Sequence, residues 1–170
     1  NTLNAILVCK ALNLTDDQIR TALANVQLTD MRMQLVNGKN NVLFINDAYN
    51  AAPTSMKAAI DFVTSTTMRE DKWLVLGDML ELGENEQLFH EQLAESIDPS
   101  VISRVCLYGP RMKALFNKLQ TKFDIEKLIY SELDYAPIIK TIDAYATVNS
   151  LILVKGSRGM KLETIIEALK

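Results

Sequence analysis

Three short polar stretches in this chain each follow an apolar run, and their residue types suit the handling of a phosphorylated or hydroxylated ligand. They are Asn46-Asp47-Ala48-Tyr49-Asn50, Gly77-Asp78-Met79 and Lys155-Gly156-Ser157-Arg158-Gly159. A carboxylate such as Asp47 can accept hydrogen bonds from ribose hydroxyls. A loop with two glycines beside Lys155 and Arg158 can bring backbone N–H groups and positive charge to a phosphate. The competing reading is plainer: Asp47 caps a turn, Lys155 and Arg158 are solvated, and the glycines only terminate a strand. The convergence of three such stretches is stronger evidence than any one of them.

The elements that must position these stretches follow from hydrophobic periodicity. Val42 to Ile45 is an unalternating apolar run, as expected of a strand covered on both faces. Thr54 reads as a helix N-cap, with Met56, Ala59, Ile60 and Val63 at helical spacing behind it, and Pro53 keeps the preceding residue out of helix. Upstream, Met33 to Val36 and Val42 to Ile45 flank Asn37-Gly38, a strong hairpin signal. Downstream, strands at Trp73 to Leu76, Arg104 to Tyr108, Lys127 to Tyr130 and Ser150 to Val154 alternate with helices. Those helices turn inward Phe89, Leu93 and Ile97, then Met112, Leu115, Phe116 and Leu119, then Ile138, Ile139 and Ile142, and finally Leu162, Ile165, Ile166 and Leu169. Such alternation predicts an α/β fold, a mostly parallel sheet with helices on both faces. In such sheets ligands collect beyond the carboxyl ends of the strands, which is where the three polar stretches fall.

The first thirty residues have a different character. Asn1 to Ala11 reads as a buried helix through Leu3, Ile6, Leu7 and Cys9, and Thr15 to Val26 as a second, opened by a Thr15/Gln18 capping box. Two helices cannot bury their apolar faces alone, so a boundary is expected near Leu28 to Asp30. The chain begins at Asn1 inside a helix, as a piece of something longer would.

Composition excludes several classes. Eighteen Lys and Arg against 21 Asp and Glu give a net charge of −3, with no basic cluster to suit nucleic acid or an anionic membrane. No apolar run approaches the roughly 20 residues of a membrane span, and no signal peptide opens the chain, so a cytoplasmic protein is expected. Cys9 and Cys106 read as reduced, buried thiols, His90 as a surface or supporting histidine, and Trp73 as core. No P-loop pattern, nucleophile elbow or zinc pattern is present.

Three longer runs carry a family resemblance: INDAYNAAPTSMKAAI at Ile45 to Ile60, VLGDMLELGE at Val75 to Glu84, and LVKGSRGMKLE at Leu153 to Glu163. Together they resemble the C-terminal part of the ATP-dependent Mur ligases. Within that family they are most similar to the member that joins D-alanyl-D-alanine to UDP-N-acetylmuramoyl-tripeptide in peptidoglycan precursor synthesis. The resemblance implies a Rossmann-like C-terminal domain over residues 31–170, preceded in residues 1–30 by the helical tail of the central ATP-binding domain. It implies that Asn4 lies against adenine, that Arg32 reaches the nucleotide, that Asp47 meets the ribose hydroxyls, and that Tyr49 and Asn50 lie in the cleft. Lys155, Ser157 and Arg158 would face the phosphates or the incoming dipeptide. ATP and Mg²⁺ are the implied cofactors, with the metal ligands and P-loop outside this segment, and the segment alone would be an inactive part of a monomeric enzyme. One departure is Ala52, where the family usually has a second asparagine before proline. Alternatives are the corresponding domain of another Mur-type ligase, or a receiver-like or other nucleotide-binding α/β module. A receiver would need an aspartate closing Arg104 to Gly109, and none is there.

Overall fold

The computed structural model describes residues 2–26 and 29–170. Its centre is a six-stranded sheet built from β1 (Gln34–Asn37), β2 (Leu43–Asp47), β3 (Asp71–Gly77), β4 (Ile102–Tyr108), β5 (Leu128–Ser131) and β6 (Ser150–Lys155). The spatial order is β1-β2-β6-β3-β4-β5. Only β1 runs antiparallel to its neighbour; the other four pairings are parallel. The expected α/β, Rossmann-like architecture is therefore observed.

Helices cover both faces. On one, α3 (Pro53–Ser65), α4 (Glu86–Gln92) with the 3-10 turn Leu93–Ser96, and α5 (Met112–Leu119) bury Met56, Ile60, Val63, Leu93 and Leu115 against Ile45, Leu74, Leu76, Leu107 and Leu153. On the other, α6 (Ala136–Tyr145) and α7 (Glu163–Glu167), with Leu162 just ahead of α7, bury Ile138, Ile142, Leu162, Ile165 and Ile166 against Phe44, Trp73, Val75, Ile152 and Val154. Successive strand residues point to opposite faces, so consecutive apolar residues in β6 and β3 feed the two cores in turn.

Local details depart from the sequence expectations for identifiable reasons. Helix α3 begins at Pro53, not after Thr54. Proline fits the first helical position because it has no N–H to leave unpaired, and extended Ala52 serves as the cap, its N–H donating to Ser55 Oγ at 3.0 Å. The β1–β2 hairpin forms, but its connection is longer than the two-residue turn that Asn37-Gly38 suggests. Lys39–Asn41 make a 3-10 turn in which Asn40 and Asn41 hold the left-handed conformation. Lys39 donates its N–H to the Leu169 carbonyl, and a Cβ on Gly38 would meet the Phe44 ring at 2.5 Å. Docking on these groups sets the loop.

Before the sheet lie α1 (Thr2–Ala11) and α2 (Asp16–Ala24), the latter with the Thr15/Gln18 capping box in place. Contrary to expectation, α1 has no buried residue: Leu3 is 69% exposed, Leu7 and Val8 are exposed, and Cys9 is half-buried. Among the described residues, every hydrogen bond made by 2–26 stays within 2–26. The boundary expected at Leu28 to Asp30 falls partly outside the described residues. No helix among the described residues is long and apolar enough to cross a membrane.

Candidate functional site

The carboxyl ends of β2, β6 and β3 lie side by side, so the three polar stretches share one edge. Asp47 closes β2 and pairs in register with Lys155, which closes β6. The Lys155 ammonium is 3% exposed and turned onto Asp47 Oδ2 at 2.6 Å, with the Asn50 carbonyl accepting a second bond at 2.9 Å. It is thus neither solvated nor directed at open space. Asp47 is 15% exposed, and its other oxygen accepts the Met33 N–H at 3.1 Å. A carboxylate offers about four lone-pair positions, so among the described residues two remain for an incoming donor pair such as the hydroxyls of a ribose.

The segment before β1 closes over this edge. Met31 and Met33 both have positive φ, 60° and 50°, a conformation that costs a non-glycine residue about 1 kcal/mol or more and turns the chain sharply on either side of Arg32. The Arg32 guanidinium then stacks on the Tyr49 ring, 4.3 Å from its centroid, while Tyr49 N–H donates to the Met31 carbonyl. Asn50 spends its side-chain oxygen on the N–H of Ala51. Arg158 is half-exposed, in contact with the Met31 sulfur and paired with Glu163. Asn4, on exposed α1, makes no hydrogen bond to these groups.

Ser157 lies differently from the outward-facing residue the sequence suggests. It is buried, and its hydroxyl accepts the Leu80 N–H at 2.9 Å while its own N–H donates to the Asp78 carbonyl. This hydroxyl fixes one loop to another.

Asp78, which the sequence groups with the ligand-handling stretches, and His90 are among the residues that make the edge rigid. Asp78, fully buried, accepts the N–H groups of Met112 at 2.9 Å and Arg111 at 3.2 Å, and so caps α5 from a neighbouring strand. Burial pushes its carboxyl above the usual 3.8, opposed by those two N–H bonds and by the Arg111 guanidinium. His90, expected at the surface or in support, is fully buried: Nε2 accepts the Met79 N–H at 3.0 Å, which leaves the proton on Nδ1 to donate to the Glu86 carbonyl at 2.6 Å. Arg111 pairs with Glu86 at 2.5 Å. The N–H groups of Asp78, Met79 and Leu80 are therefore all bonded, to Tyr108, His90 and Ser157 in turn. Only the apolar-then-acidic pattern at Gly77-Asp78 hinted at this. Among the described residues no three His, Cys, Asp or Glu side chains gather as metal ligands.

Residues 31–158 match the family model described as Mur ligase, glutamate ligase domain. The chain belongs to the Mur ligase family. It is 36% identical over 169 residues to the UDP-N-acetylmuramoyl-tripeptide–D-alanyl-D-alanine ligase of Bacillus subtilis, covering 99% of this chain and 37% of that protein. It is 30% identical to the Escherichia coli K12 ligase of the same name, covering 100% and 36%. Among solved structures, a Thermotoga maritima MurF ligase in complex with ADP superposes with a TM-score of 0.76 at 26% identity, covering 96% of this chain and 35% of that one. An Acinetobacter baumannii MurF superposes with 0.82 at 25% identity, covering 98% and 36%. The chain spans about a third of the length of these Mur ligases.

Proposed function

We propose that this chain is the C-terminal part of a cytoplasmic, ATP-dependent ligase that joins D-alanyl-D-alanine to UDP-N-acetylmuramoyl-tripeptide. Residues 31–170 would form the closing domain and residues 1–30 the tail of the ATP-binding domain before it. In the proposed reaction the tripeptide carboxylate takes the γ-phosphoryl group of ATP, releasing ADP. The amine of the dipeptide then attacks the acyl carbon, and phosphate leaves. An acyl phosphate hydrolyses in water, so a domain that closes over the site, excludes water and orients the amine serves this chemistry without supplying a base. The chain has no P-loop pattern, so it would not turn over ATP by itself, and the Mg²⁺ ligands would come from outside it.

The observation that carries the reading is Asp47, which ends β2 at the ligand edge with two acceptor positions unspent among the described residues. In a relative of known structure this fold is seen with ADP. Arg32 and Tyr49, stacked beside Asp47, would flank the nucleotide. Arg158, half-exposed, would meet phosphate or dipeptide. In the full-length ligase, Asp47→Asn would raise the ATP KM by roughly one to two orders of magnitude, since bonds to a charged acceptor are worth about 1.5–3 kcal/mol each. An unchanged KM with a lowered melting temperature would make Asp47 a loop cap and nothing more.

A further inference from the structure

We infer that Lys155 is a positioning residue, acting on the ligand through Asp47 and making no contact of its own. This rests on the reading of Asp47 as the ribose acceptor. An ammonium has three donors, and here one goes to Asp47 Oδ2 and a second to the Asn50 carbonyl. With 3% of its side chain exposed, Lys155 cannot reach a phosphate outside the edge without breaking both bonds and the pairing that holds Asp47. The two bonds tie the end of β2 to the loop beyond it, fixing the carboxylate and the Tyr49-Asn50 turn as one unit. The Met33 N–H on Oδ1 completes the fixation from the opposite side. What remains free on Asp47 is a defined pair of acceptor directions, matched to two adjacent hydroxyls.

The test is a double-mutant cycle in the full-length ligase with Asp47→Asn, Lys155→Met and the double variant, each assayed with ATP and with 2′,3′-dideoxy-ATP. Lys155→Gln, which keeps a donor for Asp47, is carried alongside in case the methionine variant does not fold. Each single variant is expected to raise the ATP KM about tenfold or more, the double variant no further than the worse single. The preference for ATP over the dideoxy analogue should shrink alike in all of them, an effect that a general loss of stability would not produce. Effects that multiply, or a Lys155 variant that weakens both nucleotides equally, would show that the lysine touches ligand directly and overturn the proposal. A raised KM for Asp47→Asn with normal kinetics for the lysine variants overturns it too, and leaves the ribose reading standing. If Asp47→Asn itself leaves ATP kinetics unchanged, the ribose reading falls, and the proposal with it.

Discussion

Met79 donates its backbone N–H to Nε2 of His90 across 3.0 Å, and both residues are fully buried. The bond reaches from the loop after β3 into α4, between two residues out of contact with solvent. His90→Leu would leave that N–H and the Glu86 carbonyl without their side-chain partner, at a cost of about 1–3 kcal/mol. For a chain of this size the melting temperature should drop by roughly 2–4 °C per kcal/mol. Urea unfolding of His90→Leu and His90→Gln would check this, with glutamine recovering part of the loss because its side-chain oxygen can accept the same N–H.

Asp78 should give the fold a measurable pH signature. Because burial raises its carboxyl above 3.8, the folded protein holds that proton more tightly than the unfolded chain does. The stability tied to this titration is complete below 3.8 and is lost as pH rises through the folded value. Asp78→Asn removes the titration, so the stability of the native protein relative to this variant should decline as pH climbs from below 3.8 into the range above it. Urea midpoints across that series would show it, and a rise in place of a decline would mean that the Arg111 and Met112 N–H bonds outweigh burial.

Two glycines with positive φ should respond very differently to alanine. At Gly109, φ is 110° and a Cβ would sit 2.5 Å from the Asp78 carboxyl, whereas at Gly83, φ is 68° and nothing lies within 4 Å. Gly83→Ala should cost only backbone strain, about 1 kcal/mol. Gly109→Ala adds displacement of a buried carboxylate that caps a helix, and about 3 kcal/mol or more is expected. Paired denaturation curves would separate the two.

Much of the sheet was legible in the sequence because its strands are uninterrupted apolar runs, and such runs force burial on both faces. Trp73 and the inward residues of α3, α5 and α6 followed from spacing alone. What failed were features decided by a distant partner. The start of α3 turned on the tolerance of proline at a first helical position, not on Thr54, and the hairpin loop was set by Leu169 and Phe44. Lys155 reads as a free cation until its neighbour across 108 residues of chain is known. His90, eleven residues from the N–H it holds, looked like any helix histidine. Helix α1 reads as buried from its composition, yet it has nothing among the described residues to bury it.

That exposure yields another prediction. Because, among the described residues, the hydrogen bonds of residues 2–26 stay among themselves, a chain lacking residues 1–28 should keep a single cooperative unfolding transition, followed by circular dichroism in urea. A broad transition or loss of helix beyond the deleted segment would place the first two helices within the same folding unit.

The last strand of the chain is the middle of the sheet. Strand β6 lies between β2 and β3, so the parallel pairings that unite the two halves wait for residues 150–155. During synthesis, β2 would be made long before the neighbour it needs, and its open edge would stay unprotected until nearly the whole segment had left the ribosome. Pairings this far apart in sequence are slow to form and exposed to misassembly meanwhile. A chain that stops short of Ser150 would therefore lack the strand that joins β2 to β3, and the sheet would be split at its centre.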